Sequence, residues 1–307
     1  MTADEAPIAD MISLAGAHER AAILIEALPY IREFAGATIV VKYGGNAMTD
    51  PGLALHFAED MVLLHAVGIR PVVVHGGGPQ IGAMLAKLGI KTEFRDGLRV
   101  TDAATLDVAR MVLSGKVNRD IVSALNRHGA VAVGISGEDA NLIVAGELDP
   151  DLGFVGDVQR VNPAIVESLL AQQLIPVVST IGSDADGQAY NINADTVAAA
   201  LAGALGAEKV IYLTDVAGLL LDVADVSTLV TQTTPTEIAR LIDEGVISGG
   251  MIPKIDACLE GLRHGVRSAH LLDGRIPHVV LLELFTNRGI GTMVVPDVIA
   301  DDENEWL

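Results

Sequence analysis

The sequence predicts an α/β fold in which a largely parallel sheet is covered by helices on both faces. Half of the 307 residues are hydrophobic but only 3% are aromatic, so the core must consist of Val, Ile, Leu and Ala, as in buried parallel strands. Short apolar runs also alternate with helical stretches, which is the pattern of a doubly wound sheet. A chain of this length suits one large domain or two lobes.

The elements follow this alternation. A helix is predicted at 18–35, where Pro29 should kink or interrupt it. Strands are predicted at 38–43, 70–75, 130–135, 141–145, 153–161, 174–180, 209–214, 268–273, 279–285 and 292–295. Further helices are predicted at 53–67, 79–88, 102–128 (broken near Ser114 and Gly115), 194–205, 235–243 and 252–264. The hairpin-like segment 130–161 predicts some antiparallel pairing, and 222–230 predicts a surface loop or small hairpin.

Composition excludes several classes of protein. With 20 basic and 40 acidic residues the net charge is −20, which argues against nucleic acid or an anionic membrane as a partner. Cys258 is the only cysteine, so an internal disulfide and a thiolate metal cluster are excluded and a reducing compartment is favoured. There is no apolar run of membrane-spanning length, and the N-terminus has the wrong charge for a signal peptide. We therefore expect a cytoplasmic protein.

The run VVVHGGGPQIG, residues 72–82, has the form of a phosphate-binding turn between a strand and a helix. It does not match the dinucleotide fingerprint, because Ile81 stands where the third glycine is required. The nearest P-loop match, Ser114 to Lys116, is followed by Val117 and has Arg110 in place of its first glycine. A tight turn with no ligand is equally compatible with the glycine run.

Four polar stretches follow predicted strands or precede helices. They are Lys42 to Gly45, His75 to Gly78, Thr214 with Asp215, and Ser248 to Lys254. Ligands of open α/β sheets bind beyond the carboxyl ends of the strands, so we expect these stretches to meet.

Two lysines are the first candidates for chemistry. Lys42 ends a buried strand, where an unpaired ammonium is costly unless it emerges at the surface. Lys254 follows Pro253 at a helix start, where a positive charge opposes the helix dipole. Lys254 is either an ordinary solvated charge or the ligand of an anion.

Other polar residues offer weaker signals. Arg99 suits bidentate capture of a carboxylate, although an exposed arginine is the commoner explanation. Asn191, Asn193 and Asp195 lie together at a helix start, where one of them is expected to be the cap. Asp215 ends a buried strand, so a ligand-facing role competes with an ordinary turn.

Together these residues suggest phosphoryl transfer to a carboxylate. The sequence contains no HRD or DFG motif to supply a catalytic base. A γ-carboxyl acceptor, with a pKa of about 4.3, needs no base because it is already ionised at neutral pH. The attack of this anion is opposed by electrostatic repulsion from the phosphates of the nucleotide. Lysines, Mg²⁺ and backbone N–H groups would relieve that repulsion.

Six motifs in this order resemble the amino acid kinase family, and within it the acetylglutamate kinases. They are VVKYGGNAM, VVVHGGGPQI, DGLRVTD, NINAD, LTDVAGL and SGGMIPK, and the match runs from about Lys42 to Gly291. The resemblance implies an open three-layer αβα sandwich with a mainly parallel central sheet. It also implies a division into an N-terminal helix (1–36), an acceptor lobe (37–205) and a nucleotide lobe (206–307).

The implied reaction is ATP-dependent phosphorylation of the γ-carboxylate of N-acetyl-L-glutamate, a step of arginine biosynthesis. The resemblance gives Lys42 and Lys254 a role in stabilising the transition state, with Asp195 orienting them. It assigns the other residues by ligand: Gly44 and Gly45 to phosphate oxygens, Gly77 and Gly78 to the acyl substrate, Arg99 to its α-carboxylate, Asn191 and Asn193 to its amino-acid portion, and Thr214, Asp215, Val246, Ser248, Gly249 and Met251 to the nucleotide. Mg²⁺ would arrive with ATP, and no cluster of histidines and carboxylates implies a dedicated metal cage.

The segment EALPYIREFAG resembles the N-terminal extension of arginine-inhibited members, whose helices join dimers into a hexamer. The resemblance implies an arginine site formed by Tyr30, His270, Glu283, Gly289 and Gly291. Glu283 could pair with the guanidinium or could simply be the charged end of a strand.

The sequence is also compatible with other functions. The acceptor could be an acetylaminoadipate-type acid, aspartate, glutamate, carbamate or uridylate. An acetylaminoadipate-type acid differs from acetylglutamate by one extra methylene, which changes the binding free energy only slightly. A catalytically silent amino-acid sensor would retain the fold, although the presence of both lysines counts against it. A dinucleotide dehydrogenase is opposed by the missing third glycine.

Overall fold

The computed structural model describes residues 14–48, 50–286 and 289–297. Within these ranges the strands are β1 (Thr38–Tyr43), β2 (Arg70–His75), β3 (Phe94–Arg95), β4 (Leu98–Arg99), β5 (Ala132–Ser136), β6 (Ile143–Glu147), β7 (Val155–Val161), β8 (Ile175–Ser179), β9 (Ile181–Ser183), β10 (Ala189–Ile192), β11 (Lys209–Thr214), β12 (Gln232–Thr233), β13 (Ser268–Asp273) and β14 (Thr292–Val294). The α-helices are α1 (Leu14–Phe34), α2 (Pro51–Ala66), α3 (Gly78–Leu88), α4 (Ala103–Arg110), α5 (Asn118–Asn126), α6 (Ala164–Ala171), α7 (Ala194–Ala204), α8 (Pro235–Asp243), α9 (Ile252–Arg263) and α10 (Val279–Leu284).

The central sheet has eight strands in the order β12-β14-β13-β11-β1-β2-β8-β5. The six strands from β13 to β5 are parallel to their neighbours, and β14 runs antiparallel to β13. The chain moves from β1 outward to β2 on one side, whereas β11 leads to β13 on the other side. The strand order therefore reverses between β1 and β11, which is where an open α/β sheet binds its ligands.

Two apolar layers sandwich this sheet, as alternation along β1 requires. Ile39 and Val41 face a core shared with α2, α3, α4 and α5. Val40 faces the opposite core, which contains α6, α7, α8 and α9. The predicted α/β sandwich with a mainly parallel sheet is confirmed.

A second sheet lies in the middle of the chain, where β10, β7, β6 and β9 close into a small four-stranded barrel. β6 and β7 form an antiparallel hairpin, as the irregular pattern of 130–161 predicted. However, β5 within that segment joins the main sheet in parallel with β8. The 222–230 segment forms a small hairpin, closed by an antiparallel bridge between Leu220 and Leu229.

The predicted strand at 279–285 is wrong, because this segment is the helix α10. A short apolar run does not distinguish a buried strand from a buried helix by periodicity. Its burial is helical: Val279, Val280 and Leu284 are buried and Leu282 is 38% exposed.

The long helix predicted at 102–128 is present as α4 and α5, joined by π-helical turns at Met111–Val117 where a break was expected. Helix α1 is continuous through Pro29. The β3–β4 hairpin was missed, although its turn is Asp96-Gly97 with both φ angles positive, a strong hairpin signal. None of the helices in the described ranges is both long and apolar enough to span a bilayer.

Candidate active site

The polar stretches that follow the strands do meet at one edge of the sheet. Lys42 is in register with Val74 on one side and Tyr212 on the other, so it lies near the carboxyl ends of the three central strands. Thr214 ends β11 on the far side of the point where the strand order reverses. The edge between β1 and β11 is therefore the place to look for a ligand.

Lys42 forms an ion pair with Asp195, with 2.9 Å between Nζ and Oδ1. The Lys42 side chain is 16% exposed, that of Asp195 is 30% exposed, and the Oδ1 atom that faces the lysine is fully buried. Asp195 is in the first turn of α7, so a helix packed on the sheet holds the carboxylate against the strand lysine. This arrangement keeps one positive charge partly desolvated beside a ligand edge.

Gly44 makes room for that lysine. A Cβ atom on Gly44 would lie 3.1 Å from Lys42 Nζ and 3.2 Å from its Cε, so the side chain bends back over the glycine. Gly45 follows with a φ of +66°, a conformation that glycine adopts without strain. The loop after β1 thus exposes its backbone close to a cation, as an anion site needs.

The glycine run after β2 opens helix α3. Gly77 is the residue before the first turn, and the helix has no side-chain cap. A Cβ on Gly77 would come within 2.6 Å of Leu113 Cδ2, so a larger residue here would displace the buried Leu113 side chain of the π-helical segment. Gly78 begins α3, whose N-terminal end can receive negative charge from a ligand.

His75 supports this run from beneath. Its Nδ1 lies 3.0 Å from the Gly76 carbonyl and its Nε2 lies 3.1 Å from Asn118 Nδ2. The neutral ring satisfies both contacts if Nδ1 donates and Nε2 accepts. Burial lowers the pKa of His75 from 6.5 to about 4, so the ring is neutral at physiological pH. From the sequence His75 was expected only as the first residue of a polar stretch at the ligand edge, and Asn118 was not expected there.

Arg99 closes the other side of the glycine run. Its Nη2 donates to the Gly78 carbonyl at 3.0 Å, Nη1 donates to Thr92 Oγ1 at 2.5 Å, and the guanidinium lies 4.5 Å from the centre of the Phe94 ring. The residue is only 8% exposed, and burial lowers its pKa from the ordinary value. The exposed-arginine alternative is wrong.

The glycine run, Phe94 and Arg99 line one cavity of about 220 Å³. Its walls include Gly76, Gly77, Gly78, Phe94, Arg99, Thr180, Asn191 and Asn193. Asn193 is also the cap of α7, since its side chain accepts from the Asp195 N–H at 2.8 Å. Asn191 is half-buried on β10. The five predicted acceptor residues beyond β1 are thus brought together; they are Gly77, Gly78, Arg99, Asn191 and Asn193.

The second lysine has a different partner. Lys254 lies in the first turn of α9, and its Nζ is 3.3 Å from Asp215 Oδ1. The Lys254 side chain is 28% exposed and that of Asp215 is 54% exposed. Burial alone would raise the pKa of Asp215, but attraction and hydrogen bonding to Lys254 outweigh it and lower the pKa. In this structure Asp195 therefore pairs with Lys42 and Asp215 with Lys254.

The remaining predicted nucleotide residues lie in the two segments that carry this pair, the end of β11 and the stretch before α9. Thr214 Oγ1 approaches the carbonyls of Val216 and Leu272 at 3.2 and 3.3 Å, which shapes the turn that carries Asp215. Ser248, Gly249 and Met251 form the turn before α9, in which Ser248 and Gly249 are exposed and Gly249 has a φ of +55°. Val246 is half-buried ahead of it.

A comparison with known proteins decides the family. The sequence profile of the "Amino acid kinase family" matches residues 37–273. The chain belongs to the amino acid kinase family. An acetylglutamate kinase of Nostoc sp. is 55% identical over 277 residues, which cover 90% of this chain and 93% of that protein. An acetylglutamate kinase of Saccharopolyspora erythraea is 54% identical over 300 residues, or 95% and 97% of the two chains.

Solved structures agree with that membership. The N-acetylglutamate synthase of Neisseria gonorrhoeae, complexed with coenzyme A and N-acetyl-glutamate, has a TM-score of 0.81 at 27% identity. The match covers 91% of this chain and 64% of that one, so this amino acid kinase spans less than two thirds of the synthase. A Giardia carbamate kinase has a TM-score of 0.66 at 17% identity, covering 86% of this chain and all of that one, and shows the shared fold. The family and the acetylglutamate kinase relationship predicted from the motifs are confirmed.

This amino acid kinase has a second large cavity, of about 630 Å³, between α1 and the C-terminal elements. Tyr30, Glu33, Lys209, His270, Glu283 and Gly289 are among the residues that line it. Glu283 is on α10, not on a strand, and its carboxylate is already engaged. Oε1 lies 2.7 Å from His270 Nδ1, while Oε2 accepts from the N–H groups of Ile290 (2.8 Å) and Gly291 (3.3 Å).

Proposed function

We propose that the chain transfers the γ-phosphoryl group of MgATP to the γ-carboxylate of N-acetyl-L-glutamate, giving N-acetyl-L-glutamyl 5-phosphate for arginine biosynthesis. The observation that carries this proposal is the half-buried Lys42–Asp195 pair beside the cavity that contains the glycine run and Arg99. The name of the curated relatives supports the choice of acceptor.

The site matches the demands of the reaction. The acceptor carboxylate is already ionised at neutral pH, so no side chain has to remove a proton from it. The barrier comes instead from bringing one anion to another, and charge that develops on the transferring phosphoryl must be stabilised. Lys42, the backbone of Gly44 and Gly45, and the start of α3 supply positive potential from the acceptor side. Lys254 supplies it from the nucleotide side.

Arg99 fits the α-carboxylate of the acceptor. Its guanidinium is oriented by Thr92 and by the Gly78 carbonyl, which fixes its position against the glycine run. Asn191 on the opposite wall offers an amide to the N-acetylated amino-acid portion. Mg²⁺ is part of the MgATP substrate in this proposal. The carboxylates nearest the site, Asp195 and Asp215, are both paired with lysines and therefore fit orientation better than metal ligation.

The test is trapping of the acyl phosphate with hydroxylamine. The enzyme is incubated with MgATP and N-acetyl-L-glutamate, L-glutamate or N-acetyl-L-aspartate, which lacks one methylene. We expect hydroxamate from N-acetyl-L-glutamate alone. Equal or greater product from another acid would move the assignment to a related kinase, and a folded enzyme with no product from any acid would support the sensor alternative.

We infer in addition that the second cavity binds arginine as a feedback inhibitor. Glu33 lies on its wall on the exposed side of α1, and His270 with Glu283 forms a buried acidic floor. Lys209 lines the same cavity and suits the α-carboxylate of the amino acid. Glu283 is held by His270 and two backbone N–H groups, so its contribution is a fixed negative charge.

Initial rates in millimolar L-arginine, with D-arginine and L-lysine as matched controls, test this regulation. Inhibition by L-arginine alone is expected in the wild type, and Glu33→Gln should weaken it. Rates that do not change with L-arginine would remove the proposal without touching the catalytic one.

Helix α1 also supports assembly into a hexamer built from dimers. Ile23, Leu24 and Ile25 on this helix are 60%, 72% and 67% exposed, an apolar surface that a second copy of α1 would cover. Light scattering should then give the mass of six chains, falling to two when Ile23 and Leu24 are replaced by Glu. The division into 1–36, 37–205 and 206–307 and the cytoplasmic location stay predictions.

A further inference from the structure

Helix α2 and the turn before α10 bring three metal-ligating side chains together. His56 and Glu59 are three residues apart on α2, so they share one face of that helix. His278 is the residue that precedes α10. One ligand atom from each of the three residues lies within 4.8 Å of the other two. No such cluster was expected from the sequence, because His278 is distant from the other two residues along the chain.

The spacing fits a small tetrahedral ion. Four ligands at about 2.0–2.1 Å from Zn²⁺ are separated from each other by about 3.4 Å. Glu59 Oε2 lies 3.3 Å from His56 Nδ1 and 3.9 Å from His278 Nε2. Side-chain movements of about 1 Å would complete this geometry, since the three ligand atoms lie within 4.8 Å of one another. The side chains have room for such movements, since His56, Glu59 and His278 are 40%, 47% and 41% exposed.

A fourth residue orients His278. Its Nδ1 lies 2.6 Å from Oδ1 of Asp60, whose side chain is only 2% exposed. Metal-bound histidines almost always use their second ring nitrogen in this way, with a carboxylate that fixes the ring. The contact turns Nε2 of His278 towards Glu59. The buried carboxylate therefore belongs to the outer shell of the cluster.

The two histidine rings converge on one carboxylate oxygen. The rings of His56 and His278 are 4.5 Å apart at an interplanar angle of 62°. A nitrogen of each ring lies within 3.9 Å of the same Glu59 oxygen, Oε2, so an ion bound to that oxygen can also reach both rings.

We propose that His56, Glu59 and His278 form a site for a transition-metal ion of the zinc class, with a fourth position open to water. Two imidazoles and one carboxylate suit Zn²⁺, Ni²⁺ or Cu²⁺ and do not suit Mg²⁺, which requires oxygen ligands. The bound ion ties α2, which follows the Lys42–Gly45 loop, to the turn that follows β13. The site is independent of the phosphoryl-transfer reaction proposed above.

Zn²⁺ binding to the chelator-stripped enzyme tests the site, measured by titration calorimetry and by the shift in the thermal midpoint, without substrates. The ligand variants are His56→Gln and His278→Asn, because Asn tolerates the left-handed φ of +56° at position 278. The matched control is His264→Gln. His264 also faces a glutamate, with Nε2 3.2 Å from Glu260 Oε1, but among the described residues it does not belong to a group of three possible metal ligands.

We expect one Zn²⁺ per chain in the wild type and in His264→Gln, with a higher thermal midpoint when Zn²⁺ is present. Asp60→Asn should weaken binding about 10–100-fold, as loss of an outer-shell partner does, and each ligand variant should weaken it at least as much. Co²⁺ should give the intense visible absorption of four-coordinate cobalt in the wild type and in His264→Gln, but not in His56→Gln or His278→Asn. No stoichiometric binding, or equal binding in all variants, would overturn the proposal.

Discussion

The acceptor side and the nucleotide side of the cleft are built differently, although each presents one lysine beside one aspartate. On the acceptor side Lys42 extends from a central strand and Asp195 from the first turn of a packed helix. On the nucleotide side Lys254 begins a helix and Asp215 lies on an exposed turn. The first pair is 16% and 30% exposed, and the second is 28% and 54% exposed.

This difference indicates how each side does its work. Strands and buried neighbours fix Lys42, Arg99 and the glycine run before any ligand arrives, which lowers the reorganisation required in the transition state. An exposed ion pair contributes at most about 1 kcal/mol, so Lys254 can exchange Asp215 for a phosphate oxygen at little cost. The acceptor side is preorganised, and the nucleotide side is completed by its ligand.

Loss of the lysines should give the largest effects. Removing one preorganised group that stabilises developing charge costs about 10²–10³ in kcat. Lys42→Met should lower kcat by about that factor with little change in the KM for ATP, whereas Lys254→Met should lower kcat and also raise the KM for ATP. The control is Lys116→Met, since Lys116 is a 60% exposed lysine paired with Asp120. A Lys42 variant with normal kcat would contradict preorganisation.

Arg99 should control the affinity for the acceptor. A hydrogen bond to a charged group contributes about 1.5–3 kcal/mol, so Arg99→Gln should raise the KM for N-acetyl-L-glutamate about 10- to 100-fold. The KM for ATP should stay unchanged. Arg95→Gln is the matched control, because Arg95 lies on β3 beside the Arg99 strand, is 48% exposed and pairs with the nearby Glu93. Equal effects of the two substitutions would show that the position of Arg99 in the cavity is immaterial.

His75 should make the acceptor side sensitive to acid. Its pKa is about 4 in the folded protein and 6.5 when unfolded, so between these values the unfolded chain binds a proton that the folded chain does not. Stability is therefore lost as pH falls, by about 1 kcal/mol from this group between pH 6.5 and 5.5. Urea unfolding at these two pH values should show a smaller loss in His75→Gln than in the wild type or in the exposed control His128→Gln.

The two aspartates should differ in their effect on kcat, because only one of them holds a preorganised lysine. Asp215→Asn removes one partner of an exposed pair, so the KM for ATP should change less than about fivefold and kcat should hardly change. Asp195→Asn removes the group that positions Lys42, and misplacement of a catalytic group costs up to about 100-fold in kcat. Steady-state kinetics of the two variants side by side would refute the comparison if their kcat values fell equally.

The sequence predicted the features that depend on local pattern. The central parallel strands follow from β-branched runs, and the rule that ligands lie beyond their carboxyl ends grouped Lys42, the glycine run and Lys254 correctly. The pairing of Asp195 with Lys42 and of Asp215 with Lys254 was not predicted, because the resemblance assigns both lysines to Asp195. Which carboxylate meets which lysine depends on side-chain rotamers across packed elements.

Other misses have the same origin. The segment 279–285 is too short and too apolar for periodicity to separate helix from strand. The supporting role of His75 was not predicted, because it depends on Asn118, which reaches it from another element. The cluster of His56, Glu59 and His278 exists only once α10 is folded against α2. Long-range contacts of this kind leave no trace in a single sequence.

The most direct test is a crystal structure with N-acetyl-L-glutamate and a non-hydrolysable ATP analogue. We predict that Lys42 keeps its ion pair with Asp195 near the present 2.9 Å, while Lys254 leaves Asp215 and binds the terminal phosphate oxygens. A complex in which Lys254 is still paired with Asp215, or in which Lys42 has separated from Asp195, would contradict the account of a preorganised acceptor side and a ligand-completed nucleotide side.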